Sequence, residues 1–391
     1  MKLLFAGGGT GGHLFAGIAV AEEYLDFVPP GRGTLQRAPT KKDILFVGTS
    51  YGLENTMIPQ LGYRLELIPV KQLKGKGMLH RLKTLAQIPF AFWKSFQLLK
   101  REKPDLVLGI GGYASGPVTL MARFMGIKTA ILEQNAYPGF TNRVLGRFVH
   151  RVFIAFEGAR KFFPAKKVVL TGNPVRKSFD SAQDRPRPSP SRERGGNVGF
   201  TILVLGGSQG AHSINVAMVD AVKFLSFSLR PKGGEKGPGT FERLRIIHQT
   251  GKADLDSVRQ AYDSSAVEAQ VMDFIQDIQN YYAQADLVIA RAGAGTITEL
   301  EITGKPAIFI PYPYAADDHQ RLNAEEVARG GGARMILDRE LSGKRLFEEI
   351  ERFRKNPALL KRMGENIHAL AKPLAAHEIL KACGGMVDRS H

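Results

Sequence analysis

The stretch "GGGTGGH" (Gly7 to His13) meets G-x-G-x-x-G at Gly7, Gly9 and Gly12 and sets an imidazole, His13, directly behind the glycines. Glycines let a strand turn sharply into a helix, and the N–H groups at a helix start, here Gly8 to Gly12, hold a phosphate or a developing negative charge. A nicotinamide dinucleotide would also need an acid closing the second strand, about twenty residues on, to take the ribose hydroxyls. That strand ends "LFVGTS" at Gly48, Thr49 and Ser50, so the pattern reads as anion capture without a dinucleotide. An imidazole at such a spot titrates near neutral pH and is read as functional rather than as a cap.

Further stretches repeat the device. "GIGGYASGPV" offers Gly111, Gly112, Ser115 and Gly116, and "EQNAYPGFTNR" puts Glu133, Gln134 and Asn135 at the carboxyl end of a strand. In an open α/β sheet that edge is where ligands collect, so these stretches imply one substrate crevice. "GGSQGAHSIN" brings Ser208, Gln209 and Gly210 to a helix start as a diphosphate cradle. Glu299, after "RAGAGTIT", is either a plain acid in the early turns of a helix or the acceptor for two adjacent sugar hydroxyls. Asp317, Asp318, His319, Gln320 and Asn323 gather before the next helix, a set suited to hydrogen-bonding a sugar.

The elements that position these groups are apolar runs without alternation, such as "LLFAG", "DILFVG", "DLVLGIGG", "TILVLGGS" and "DLVIARAG". Each is followed by glycine or polar residues and then a helical pattern, as expected of parallel strands covered on both faces. The fold class is therefore α/β. The glycine elbow of the first strand returns at Ile202 to Asn215, which predicts two Rossmann-like domains: residues 1–172 and 173–373, hinged near "TGNPVR", where Pro174 restricts Asn173. A helix at 374–391 is expected to return to the first domain. Polar stretches at 27–42, 178–199 and 228–241 read as loops with too few apolar residues to offset the entropy of ordering them.

The chain has 391 residues and a formal net charge of +17. Residues 1–172 hold 24 Lys+Arg against 10 Asp+Glu (+14), and the remainder 30 against 27 (+3), so the anionic partner is expected at the first half. Cys383 is the only cysteine, which excludes a disulfide framework and a cysteine metal cluster and suits a reducing cytosol. No stretch approaches the apolar length that spans a bilayer. The segment Lys71 to Pro104 nevertheless combines Leu79, Leu82, Phe90, Phe92 and Trp93 with Lys83 and Lys94, which suits contact with an anionic membrane surface. A D-x-D triplet occurs at Asp254 and Asp256 and reads as solvated charge, so no metal or other cofactor is expected in the site.

"GGGTGGH", "GGYASGP", "EQN..PG.TNR", "GNPVR", "GGSQGA", "RAGAGTITE" and "DDHQ..NA" occur in this order from residue 7 to residue 324. Together they resemble glycosyltransferase family 28, and within it the peptidoglycan N-acetylglucosaminyltransferases that convert lipid I to lipid II. The resemblance implies a GT-B fold with its two parallel-sheet domains facing across a cleft. It implies UDP-GlcNAc as donor, held mainly by the second domain, and undecaprenyl-diphospho-MurNAc-pentapeptide (lipid I) as acceptor, held by the first. Carried over by position, Glu299 takes the ribose hydroxyls and Ser208 and Gln209 the UDP diphosphate. Asn135 and Arg176 line the donor side. His319 and Gln320 reach the GlcNAc hydroxyls, the backbone of Phe274 and Ile275 reads uracil, and Ala294 also belongs to the donor-binding set. Gly9, Thr10, Gly11, Gly111, Gly112, Tyr113, Ser115 and Gly116 meet the acceptor diphosphate, with Thr10, Gly11 and Gly12 also beside the donor. Ala16 and Ala294-Gly295 depart from the pattern without removing a functional side chain.

The resemblance further implies a peripheral place on the cytoplasmic face of the membrane, cell-wall synthesis and division proteins as partners, and no nucleic acid. For the inverting transfer, His13 is the candidate base, and Glu133 faces the same crevice. A transferase for another lipid acceptor and a UDP-sugar 2-epimerase share parts of the pattern. A basic RNA-binding protein would spread its charge over loops, whereas these lysines cluster with aromatics in one helical region.

Overall fold

The computed structural model describes residues 1–27, 38–70, 78–179, 199–207, 210–228, 243–265 and 267–388, without the side chains of 78–87 and 178. Most of the three polar stretches lies outside these residues. The chain forms two compact units, Met1–Lys177 with Lys372–His391, and Ser178–Ala371.

The first unit runs β1 (Leu3–Gly7), α1 (Gly11–Asp26), β2 (Ile44–Gly48), α2 (Glu54–Gln60), β3 (Arg64–Leu67), α3 (Met78–Glu102), β4 (Leu106–Gly111), α4 (Ser115–Phe124), β5 (Lys128–Glu133), α5 (Phe140–Leu145), β6 (Arg151–Ile154) and β7 (Val168–Leu170). Its strands are parallel in the order β3-β2-β1-β4-β5-β6-β7. Successive side chains of β1 leave opposite faces of the sheet. Leu3 and Phe5 pack with Leu14, Ile18 and Ala21 of α1, and with Ile379, Leu380 and Cys383 of a helix at Ala375–Asp388. Leu4 and Ala6 pack with Ala91, Leu98 and Leu99 of α3 and with Val118 and Ala122 of α4. Both faces are thus covered, which is why the strands read as unbroken apolar runs. The single cysteine is a packing residue.

Residues 173–177, grouped with the second domain on the sequence, lie in the first unit. Lys177 pairs there with Asp26 and Glu23 of α1, and the Arg176 guanidinium lies 4.8 Å from the centre of the Phe15 ring.

The second unit runs β8 (Gly199–Leu205), α6 (His212–Ser228), β9 (Arg243–Gln249), α7 (Leu255–Asp263), β10 (Glu268–Met272), α8 (Ile278–Gln284), β11 (Leu287–Ala290), α9 (Ala294–Thr303), β12 (Ala307–Phe309), α10 (His319–Arg329), β13 (Ala333–Met335), α11 (Gly343–Arg354) and α12 (Pro357–His368). Its sheet is parallel in the order β10-β9-β8-β11-β12-β13. Local signals set its helix ends. The Ser342 hydroxyl accepts the Arg345 N–H at the head of α11, Asn356 accepts the Leu359 N–H at the head of α12, and Gly304 ends α9 in the left-handed conformation.

Candidate functional site

In each unit the strand order turns back beside the first strand, between β1 and β4 and between β8 and β11. Ligands of open α/β sheets bind at such switch points, outside the carboxyl ends of the strands. The glycine stretches lie at these places.

In the first unit, the β1 and β4 loops meet main chain to main chain. The Gly8 N–H donates to the Gly111 carbonyl at 3.1 Å, and a Cβ on Gly7 would lie 1.9 Å from that oxygen. The His13 ring is seated against Gly111, where a Cβ would come within 2.6 Å of Cδ2 and 2.8 Å of Nε2. Thr10, the N-cap of α1, sets its Oγ1 2.9 Å from His13 Nδ1. Thr10, His13, Gly111 and Gly112 are thus brought together, with half-exposed Tyr113 next in the chain.

The anion reading needs correction at two amides. The Gly8 N–H is committed to Gly111, and the Gly9 N–H donates to Oε2 of Glu54 at 2.8 Å. The amides left for an anion are those of Thr10, Gly11 and Gly12, the last two heading α1, where a helix has no partner of its own to offer. Ser115 also differs from expectation. Its side chain is fully buried, turned toward Gly109 of β4, so only its main chain can serve an acceptor. Gly116 follows it in the first turn of α4.

Glu133 ends β5 with its carboxylate buried. Oε1 accepts the Asn135 N–H at 2.9 Å and Asn135 Nδ2 at 3.3 Å, while Oε2 accepts the Gly139 N–H at 3.2 Å and Asn142 Nδ2 at 2.9 Å. Burial pushes its pKa up to about 7 against the four N–H donors, which favour the charged form. Its geometry is that of a group holding the 134–139 loop, and with it Asn135.

In the second unit, Ser208 and Gln209 lie outside the described residues. Gly207 is held by Gln249, whose Nε2 donates to the Gly207 carbonyl at 2.7 Å while its Oε1 accepts the Ile275 N–H at 3.0 Å. The Phe274 N–H donates to Asp273 Oδ1 at 2.8 Å. Both amides expected to read a base are therefore engaged within the unit, and any such reading falls to other main-chain atoms of the exposed Phe274 and buried Ile275.

Ala294 opens α9, and Glu299 follows in its second turn. Glu299 Oε2 accepts a hydrogen bond from the buried Tyr282 hydroxyl at 2.9 Å. Burial and that carboxylate hold the Tyr282 phenol far above its usual range. Arg291 reaches Asp338 at 2.6 Å, the carbonyls of Ile310 and Pro311, and Ser213 of α6. It thus ties the ends of β11 and β12 to the switch point.

His319 heads α10 with Nδ1 2.6 Å from the Ala316 carbonyl, and Gln320 Oε1 accepts the Tyr312 N–H at 3.0 Å. The turn before it holds Asp317 at φ 53° and Asp318 at φ 55°, the left-handed region that aspartate enters more readily than most residues that carry a side chain. Asn323, expected in the same sugar-facing set, is instead buried and donates to the Ala292 carbonyl. Asp254 is likewise not solvated charge. It accepts from Asn215 Nδ2 at 2.7 Å and lies 3.0 Å from His212 Nδ1, while Asp256 is 97% exposed.

Of the residues expected to face a membrane, Leu79, Leu82 and Lys83 have side chains outside the described residues. Further along α3, Ala91, Ser95, Leu98 and Leu99 are buried, and Ile88, Phe90, Trp93 and Phe96 are exposed on the other side. Phe90 stacks on Trp93 and Lys94 lies over both rings, with Phe92 half-buried. No helix among the described residues is long and apolar enough to cross a membrane.

Two parallel-sheet units of the Rossmann type, each with a glycine turn at its switch point, are the architecture of the GT-B class of folds. Residues 3–154 match the N-terminal domain of glycosyltransferase family 28, and residues 201–379 match its C-terminal domain. The chain belongs to glycosyltransferase family 28. It is 46% identical to a Myxococcus xanthus protein, over 98% of this chain and 92% of that one. That relative carries the name UDP-N-acetylglucosamine--N-acetylmuramyl-(pentapeptide) pyrophosphoryl-undecaprenol N-acetylglucosamine transferase. The crystal structure of Acinetobacter baumannii MurG is 28% identical and superposes with a TM-score of 0.74 over 99% of both chains. A UDP-N-acetylglucosamine 2-epimerase shares the fold alone, at 12% identity and a TM-score of 0.64 over 97% of this chain and 94% of that one.

Glu54, Gln249, Tyr282 and Arg291 are functional-site neighbours that the sequence reading passed over. Only Glu54 left a trace, as the first acid after the end of the second strand.

Proposed function

We propose that the chain transfers N-acetylglucosamine from UDP-GlcNAc, with inversion, to the C4 hydroxyl of MurNAc in lipid I, giving lipid II at the cytoplasmic face of the membrane. The observation that carries this reading is the 46% identity, over 98% of the chain, to the relative named for that transfer. The chemistry asks for a base at the acceptor and for fixed positive charge at the departing UDP. His13 fits the first need. With Thr10 Oγ1 accepting from a protonated Nδ1, the Nε2 lone pair takes the proton of the C4 hydroxyl as its oxygen attacks the anomeric carbon. The anomeric C–O bond breaks and its electron pair leaves on UDP, stabilised by the amides at the head of α6 and by Arg176. Glu299 takes the ribose hydroxyls, and His319 and Gln320 the GlcNAc hydroxyls.

Glu133 serves as a positioning group for Asn135, because both of its oxygens already hold two N–H donors each. No metal is assigned to the step. The two carboxylates of the D-x-D triplet do not converge, since Asp254 is bound within the unit and Asp256 stands in solvent. The outer face of α3, with Phe90, Trp93 and Lys94, is the side that meets the anionic membrane, where each basic residue adds about 1 kcal/mol.

Incubation with UDP-GlcNAc and a short-chain lipid I analogue, followed by mass analysis, tests the transfer. The expected product has gained one N-acetylhexosamine. A folded, UDP-binding protein that leaves the analogue unchanged overturns the proposal. For the roles, His13→Ala is expected to slow turnover about 1,000-fold and Glu133→Gln about tenfold or less. The reverse order would make Glu133 the base.

A further inference from the structure

We infer that Glu54 is a positioning residue for His13, acting through the turn at Gly9; the inference rests on the reading of His13 as the base. Glu54 opens α2, and an acid there is favoured by the helix dipole. That explanation calls for a solvated side chain, whereas this one is 1% exposed and directed back at the β1 loop. Oε2 accepts the Gly9 N–H at 2.8 Å, and Oε1 accepts the N–H of Thr49 at 2.9 Å and its hydroxyl at 3.2 Å. The carboxylate lies in a cradle that side chains would fill. A Cβ would lie 2.8 Å from Oε2 at Gly8, 2.5 Å from Cγ at Gly48 and 1.9 Å from Oε2 at Gly52.

The consequence reaches the imidazole through covalent neighbours. Gly9 has φ +87°, in a region where glycine has many alternatives, so its peptide needs an external anchor to stay in one orientation. Thr10 follows directly, and its hydroxyl is the contact to His13 Nδ1. Glu54 thus fixes Gly9, Gly9 fixes the N-cap, and the N-cap hydroxyl sets which imidazole nitrogen faces the acceptor. The same bond removes the Gly9 amide from anion binding, so the loop serves the base at that position rather than the phosphate.

The experiment compares Glu54→Gln, His13→Ala and the double variant, measuring kcat, KM for both substrates and UDP affinity. E54Q keeps the shape but turns an amide toward N–H donors. It is expected to lower kcat about 100-fold, the scale of an ångström-sized misplacement of a catalytic group. UDP affinity and KM for UDP-GlcNAc should stay within about twofold of wild type, and the double variant should be no slower than H13A alone. Turnover of E54Q near wild type while H13A is inactive overturns the role of Glu54 alone, as do losses that multiply in the double variant. Full turnover of H13A overturns the base assignment and this inference with it. If E54Q does not fold, Glu54→Asp, which withdraws the carboxylate by one methylene, is read in the same way.

Discussion

Gly111→Ala places a methyl group directly against the proposed base. All three heavy atoms nearest to the new Cβ belong to the His13 ring: Cδ2 at 2.6 Å, Nε2 at 2.8 Å and Cγ at 3.2 Å. Carbon atoms rest at about 3.5 Å or more, so the ring must retreat by nearly 1 Å. A displacement of that size costs about 100-fold in rate when it moves a reacting group. The backbone at φ +97° adds strain of about 1–2 kcal/mol for alanine, enough to lower the melting temperature by several degrees in a unit of this size. The variant should therefore melt a little earlier, bind UDP as before and turn over about 100-fold more slowly. Steady-state kinetics with a short-chain lipid I analogue, alongside UDP titration calorimetry, measures all three. A folded variant whose kcat stays within about twofold of wild type would show that the imidazole is not used where it stands.

Glu299→Ala should weaken UDP binding about 100-fold, since each hydrogen bond to a charged group contributes roughly 1.5–3 kcal/mol. Tyr282→Phe, which removes only the hydroxyl that steadies that carboxylate, should weaken it less; calorimetric affinities equal to wild type for E299A would dismiss the ribose contact. His248 is buried between the Tyr262 hydroxyl and Asn215 Oδ1, and burial lowers its pKa to about 3. Because the unfolded imidazole protonates near pH 6.5 and the folded one does not, stability is full above that pH and falls by about 2 kcal/mol from pH 7 to pH 5. Urea unfolding of wild type and His248→Gln at both pH values should show that extra loss in the wild type only. Replacing Phe90 and Trp93 by serine should abolish flotation with anionic liposomes while leaving turnover of a short-chain acceptor intact, and retained flotation would remove α3 from the membrane contact. Chelation by EDTA should leave turnover unchanged, and a loss restored by a divalent cation would place a metal in the reaction.

The strands were legible because a buried parallel strand must be apolar on both faces, as "LLFAG" and "ILVLG" are. The glycine turns were legible because few other residues allow a strand to reverse so sharply into a helix. What stayed hidden was the allocation of hydrogen-bond donors within those turns. Glu54 takes an amide 45 positions away and Gln249 one 26 positions away, pairings that only the packed sheet creates. Ser115 sits in a polar-looking motif yet turns inward, because Gly109 on the adjacent strand leaves room for its hydroxyl. The exposed aromatics of α3 were the reverse case. A helix that buries Ala91, Ser95, Leu98 and Leu99 along one stripe has no space on that side for Phe90 and Trp93.

The helix at Ala375–Asp388 covers α1 in the first unit, although it is encoded after the whole of the second. During synthesis, residues 178–371 can collapse as a domain while the apolar flank of α1, with Leu14 and Ile18, still waits for its cover. Emergence of the sheet is then not enough for that unit to mature, because the helix at Ala375–Asp388 must follow. Shortening the chain before Ala375 would harm the first unit and spare the second.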